Sequence, residues 1–170
     1  NPYIIIDGEL KSDGANLALM DSSGTLTIPD GVTKIGNGAF ANLSGLKTII
    51  IPGTVKEIGE NAFTNNVDLT RVVLQEGIEI IGNEAFRECD NLTTIELPES
   101  LRSIGASAFQ ECSKLDNVII PSQITRIEVA TFFACIKLTS IKLPENLQII
   151  EDYALTSCIC LDNIYIKKCK

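Results

Sequence analysis

The chain has 170 residues, 45% apolar and 21% charged, with 14 Lys plus Arg against 22 Asp plus Glu and a net charge of −8. That size and composition fit one soluble folded domain, and no apolar run approaches the ~18 residues that span a bilayer. The acidic balance argues against nucleic acid and anionic membrane surfaces, and the lack of His removes the commonest general base and metal ligand together.

The chain opens at Asn1 without an initiator Met or a charged-then-apolar leader, which reads as a trimmed fragment. Tyr3–Ile6 is a strand signal, Asp7-Gly8 a hairpin turn signal, and Glu9-Leu10 the start of a return strand. A second apolar stretch, Ala15–Met20, precedes the Ser22-Ser23-Gly24 loop. Residues 1–24 are accordingly expected to form an N-terminal cap.

From Thr25 to Asp162 the sequence repeats every 23 residues without insertion or deletion. Phe40, Phe63, Phe86, Phe109 and Phe132 form one column, closed by Leu155. Pro29, Pro52, Pro98, Pro121 and Pro144 form another, with Gln75 as the exception. Ile35, Ile58, Ile81, Ile104, Ile127 and Ile150 form a third, and Leu46 through Leu161 a fourth. A strict period of this length is the signature of a solenoid.

Within a unit, triplets such as Ile49-Ile50-Ile51 read as short strands. Their companions are Leu26–Ile28, Val72–Leu74, Ile95–Leu97, Val118–Ile120, Ile141–Leu143 and Ile164–Ile166. The outer positions are aliphatic and the middle one varies, so the outer pair faces a core and the middle faces away. Pro52 and its equivalents should end the strand. Val55 and Ile58 return to the core, Ile58 in a second short strand. Gly59 reads as a turn residue that tolerates positive φ, with equivalents at Gly36, Gly82 and Gly105. Glu128 and Glu151 fill that position later, so left-handed geometry is not strictly required there. Ala62, Phe63, Asn66 and Leu69 suggest a brief helical turn with one buried stripe. A lone unit buries too little to fold, so the units must stack. Six repeats over 25–162 precede a final strand and charged terminus at 163–170, where lysines discourage edge pairing.

The unit Ile49-Ile50-Ile51-Pro52-Gly53-Thr54-Val55-Lys56-Glu57-Ile58-Gly59-Glu60-Asn61-Ala62-Phe63 resembles the BspA-like leucine-rich repeats. The resemblance covers about nine-tenths of the chain. It implies an α/β leucine-rich-repeat solenoid, with a parallel sheet on the concave face and short helical turns opposite. It also implies secretion or surface display, in adhesion or protein–protein contact, and carries over no catalytic residue. Tyr3–Lys11 likewise resembles a segment that often precedes the first repeat. Thr54, Gly77 and Ser100 stand where the more familiar leucine-rich pattern has an Asn ladder, and Gln75, Glu128, Glu151 and Leu155 depart from the consensus.

Cys89, Cys112, Cys135 and Cys158 fall one per repeat, in a column begun by Leu43 and Asn66. They read as buried free thiols; disulfides within the column and a Cys160–Cys169 bond stay open. A line of thiols is a poor metal site. The carboxylates read as solvated turn charge, not as a glycosidase pair. No cofactor, metal or catalytic residue is expected, and the chain reads as a non-enzyme.

The candidate site is the strand face. Its middle row runs Thr27, Ile50, Val73, Glu96, Ile119, Lys142 and Tyr165, flanked by Thr25, Thr48, Arg71, Thr94, Asn117, Ser140 and Asn163. Apolar residues rimmed by polar ones mark a contact surface, although β-propensity alone also places branched residues there. Two readings result: a protein-binding or adhesion module, with a host matrix or plasma protein as partner, and a spacer displaying another domain. A carbohydrate-binding module ranks lower, because the face offers one aromatic, Tyr165.

Overall fold

The computed structural model describes residues 5–11 and 19–167. The start of the first strand at Tyr3-Ile4, most of the 15–20 stretch and Cys169 lie outside the described residues. The first elements are β1 (Ile5–Ile6) and β2 (Glu9–Leu10), an antiparallel hairpin across Asp7 and Gly8, both at positive φ. Each later coil adds one strand of two to five residues and one of two residues. These are β3 (Thr25–Thr27) and β4 (Lys34–Ile35), β5 (Thr48–Ile51) and β6 (Glu57–Ile58), and β7 (Arg71–Leu74) and β8 (Ile80–Ile81). They continue with β9 (Thr94–Ile95) and β10 (Ser103–Ile104), β11 (Asn117–Ile119) and β12 (Arg126–Ile127), and β13 (Ser140–Pro144) and β14 (Ile149–Ile150), closing on β15 (Asn163–Lys167).

The odd-numbered strands from β3 to β15 form a seven-stranded parallel sheet, here the long sheet. Its register is the sequence period itself, as in Thr48 against Arg71 and Asn117 against Ser140. The even-numbered strands from β4 to β10 form a second sheet that the hairpin extends, since β2 pairs in parallel with β4, and β12 and β14 continue this wall as a separate pair. The hairpin β1–β2 is thus joined to the second sheet. On the long sheet, Met20 makes an antiparallel bridge to Leu26.

One core runs between these walls. Leu26, Ile49, Val72, Ile95, Val118 and Ile141 point into it from the long sheet, as the alternation predicts, and Ile35 through Ile127 from the second. Phe40, Phe63, Phe86, Phe109 and Phe132 stack with centroids 5.4–5.6 Å apart and planes within 3–8°. Identical aromatic rings at one height per coil make an offset stack, which adds about 0.5–1.5 kcal/mol per pair beyond area burial. At the last coil the same columns open. Ile150 is 48% exposed where Ile127 is 1%, and Ile164, an expected core position, is 54% exposed.

Two expectations need correction. The helical turns are not there: no α-helix occurs among the described residues. The third wall is a run of tandem turns whose alternate amides bond to the next coil. Glu84, Phe86 and Glu88 donate to the carbonyls of Ala106, Ala108 and Gln110 at 2.8–2.9 Å, while Ala85 and Arg87 donate three residues back. A helix would need those amides within its own segment. The turn is made by left-handed residues four apart, Gly38 and Asn42 in one coil, then Asn61 and Asn65, Glu84 and Glu88, through Tyr153 and Ser157.

Second, Gly36, Gly59, Gly82 and Gly105 do not have positive φ. They lie where the coils touch: a Cβ on Gly59 would lie 2.7 Å from the Ile35 carbonyl oxygen and 2.8 Å from the Asn37 amide nitrogen. Where Glu128 replaces glycine, the second sheet breaks. β12 pairs with β14 but not with β10, and the bond that Gly105 makes to Ile81 is not repeated from Glu128 to Ile104. Glu151, at the same position one coil on, still donates to the Ile127 carbonyl at 2.9 Å, so a Cβ there does not by itself part the coils. Pro144 closes its strand as the last residue of β13, opposite Lys167.

Candidate functional site

The predicted row lies on the outward side of the long sheet, because period-two alternation sends every residue between two core positions to solvent. The register sets Thr27, Ile50 and Val73 side by side on β3, β5 and β7, and Ile119, Lys142 and Tyr165 on β11, β13 and β15. Ile50 and Val73 are half-buried, whereas Ile119 and Tyr165 are 55% and 54% exposed. Thr48, Arg71, Thr94 and Asn117 form the flanking row in the same register. All the candidate residues therefore share one face, with Glu96 beyond the end of the short strand β9.

Charge distinguishes this face from the second sheet. There Lys34 pairs with Glu57 at 3.1 Å across β4 and β6, Glu9 with Lys11 at 2.8 Å, and Arg126 with both Glu128 and Glu151. The Lys11 ammonium beside Glu9 holds that carboxyl below its usual range. On the long sheet, Arg71, Glu96 and Lys142 make no ion pair or side-chain hydrogen bond among the described residues. One wall is charge-satisfied internally; the other presents its charges outward.

Two cavities open on the long sheet on either side of Glu96. One of about 160 Å³ is lined by Arg71, Val73, Leu74 and Thr94. The other, of about 400 Å³, is lined by Thr94, Leu97, Glu99, Asn117 and Ile119. In the sequence these residues fall into separate rows, and only the shortness of β9 makes them the walls of a recess. Leu74, Leu97 and Glu99 were not among the expected site residues; as positions facing the core or following the strand, they gave no signal.

The cysteine column carries no chemistry of its own. Cys89, Cys112, Cys135 and Cys158 are buried, and each thiol donates to the carbonyl of the Phe 26 residues earlier, at 3.4, 3.2, 3.1 and 3.1 Å. Asn66 does the same in its coil, donating to the Phe40 and Phe63 carbonyls and accepting from the Leu43 amide. Burial pushes the Cys89 thiol up to about 12 and Cys112 and Cys135 well above the ordinary range. Thiols held protonated are poor nucleophiles and poor ligands. They are free, as expected; the pairing of Cys160 with Cys169 falls outside the described residues. No group of His, Cys, Asp or Glu among the described residues converges as a metal site.

The model of the BspA type leucine rich repeat region matches residues 20–105 and 64–170, with 6 copies. The chain belongs to the BspA-type leucine-rich repeat family. Among solved structures, it is similar to the leucine-rich repeat protein TpLRR of T. pallidum, at 26% identity and a TM-score of 0.72, over 83% of this chain and 68% of that one. A leucine-rich repeat protein from Bacteroides ovatus matches at 31% identity and a TM-score of 0.64, over 92% of this chain and 47% of that one. The pneumococcal vaccine antigen PcpA shares the fold at 18% identity and a TM-score of 0.65, over 86% and 42%. The chain thus spans about two thirds of the treponemal protein and about half of the Bacteroides one. No curated protein sequence matches it. Repeats of this family are commonly used for protein interaction or surface display, and the solenoid is typically non-enzymatic. No helix among the described residues is long and apolar enough to cross a membrane.

Proposed function

We propose that this chain is a protein-interaction or adhesion module, displayed at a cell surface or secreted, that binds through the outward face of the long sheet. The repeat array 25–162 presents the face and residues 1–24 cap it. The observation that carries this reading is a set of charges unpaired among the described residues, Arg71, Glu96 and Lys142, interleaved with half-buried or exposed Ile50, Val73 and Ile119 on one surface. Contact surfaces gain energy from desolvated apolar positions and specificity from unsatisfied charge beside them. Surface placement, and a host matrix or plasma protein as partner, rest on what the family resemblance implies.

The test is surface plasmon resonance against a panel of purified matrix and plasma proteins. The variant combining Ile50→Ser, Val73→Ser and Ile119→Ser should lose binding by at least tenfold while its melting curve stays cooperative. A partner whose affinity is unmoved by these three changes, but falls when Ile80 and Ile149 on the second sheet are changed, places the contact on that wall instead.

A structural spacer is the second reading. It is favoured by the continuous core and the single Phe stack, which make the array stiff along its axis. A parent chain in which a separate domain carries all measurable binding supports it.

A further inference from the structure

The long sheet is not uniform along its length. β5 and β7 pair through four residues each, and β11 and β13 through three. β9 is two residues long, pairing with β7 at two positions and with β11 at one, Thr94 against Asn117. Glu96 and Leu97 therefore leave the ladder in the middle of the sheet, while the strands on either side stay extended. The two cavities open at this interruption, and Glu96 borders both.

We propose that this interruption is a seat for one cationic side chain, a Lys or Arg of a protein partner. The proposal rests on the reading of the long sheet as the contact face and names what its centre binds. Glu96 is exposed and makes no ion pair or side-chain hydrogen bond among the described residues. Val73 stands on one side of it and Ile119 on the other, one strand away in each direction. With strands ~4.8 Å apart, the gap from Val73 to Ile119 is about 10 Å, the width of one inserted side chain. Lys and Arg are the side chains that suit an apolar wall with a carboxylate beside it, since their stems pack on apolar surface while the charge stays at the tip. The carboxylate then makes a charge-assisted hydrogen bond, stronger than a neutral one.

The neighbouring charges narrow the partner further. Arg71 lies on β7 and Lys142 on β13, one on either side of Glu96, so the face reads positive, negative, positive across the strands. A second cation beside the first would meet Arg71 or Lys142 and be repelled. The complementary segment carries a basic residue between acidic ones, and this pattern sets specificity more than raw affinity.

The experiment selects phage-displayed random peptides on the immobilised chain, on its Glu96→Lys variant and on its Ile119→Ser variant. Both positions are exposed, and circular dichroism melts confirm that the variants fold. Peptides selected on the unaltered chain should carry Lys or Arg flanked by Asp or Glu. As synthetic peptides they should lose at least tenfold in affinity when the basic residue becomes Gln, and as much against Glu96→Lys. Selection on Glu96→Lys should yield acidic residues at that position. Peptides weakened by Ile119→Ser but indifferent to Glu96→Lys overturn the cationic seat and leave the contact face standing. Failure to select any peptide, or peptides indifferent to both changes, counts against the seat and the face together.

Discussion

The Cys112 thiol donates to the Phe86 carbonyl oxygen across 3.2 Å, tying the fourth coil to the third at the core. The same bond runs from Cys135 to Phe109 one coil further on and from Cys158 to Phe132 two coils further on. The column is therefore a ladder of buried donors that satisfies backbone carbonyls, and small size alone does not explain it.

Replacing Cys112 with Ala should show this. The substitution strips the Phe86 carbonyl of its thiol donor and leaves a small void, at a combined cost of about 1–3 kcal/mol. Urea unfolding measures it. A cost below about 0.5 kcal/mol, well under the lost-donor penalty, means that the column is filler.

The raised thiol pKa makes a second expectation. The Cys89 thiol sits at about 12 when folded against an ordinary 9.0. Below pH 9 both folded and unfolded chains keep this proton, so the thiol adds no pH dependence. Between 9 and about 12 the unfolded chain releases it while the folded chain retains it, so stability falls as pH rises through that window. The urea midpoint should drop between about pH 8 and about pH 10.5, and Cys89→Ala should flatten the drop. At about pH 8 a disulfide reagent should leave the four column thiols unmodified until denaturant is added; rapid native modification of Cys112 contradicts the structure.

Ala130 has a φ of 55° and Ala134 of 57°. An L residue in the left-handed region costs roughly 1–2 kcal/mol, and glycine escapes that cost but gives back ~0.4–1 kcal/mol through a more flexible unfolded chain. Ala130→Gly should raise stability by about 0.5–1 kcal/mol, an unusual direction for that change. A thermal melt shows it, and a clear fall in Tm argues that the turn tolerates no extra freedom.

Gly59→Ala should do the opposite. Its Cβ would press on the backbone of the preceding coil, 2.7 Å from the Ile35 oxygen. Backbone in a packed stack shifts only at a cost of about 1–3 kcal/mol. Where Glu128 stands in place of glycine the second sheet is broken between β10 and β12, whereas Glu151 keeps its bond to Ile127 at 2.9 Å. A Gly59→Ala chain that unfolds at the same urea midpoint as the parent means that the coils can part there too.

The period was legible because burial is a column property: Phe63 and Phe86, or Ile49 and Val72, meet the same neighbours one coil on. Inward and outward positions came from alternation in the strands. The third wall was misread for a physical reason. Ala62, Phe63 and Asn66 present a buried stripe whether their segment is a helix or a row of turns. What separates the two is where the amides go, and they go to the next coil. The residues at the left-handed positions, among them Asn61, Glu84, Ser107, Ala130 and Tyr153, share no chemistry that would mark them.

The order of residues was enough to set the number and register of the coils, the core columns and the face that points outward. The packed coils were needed to explain why glycine recurs at 36, 59, 82 and 105, where the second sheet breaks, and that Glu96 stands at an interruption of the long sheet. Single-residue properties and their spacing are written along the chain. How closely two coils approach is not, because it depends on backbone atoms about one 23-residue period apart meeting in space.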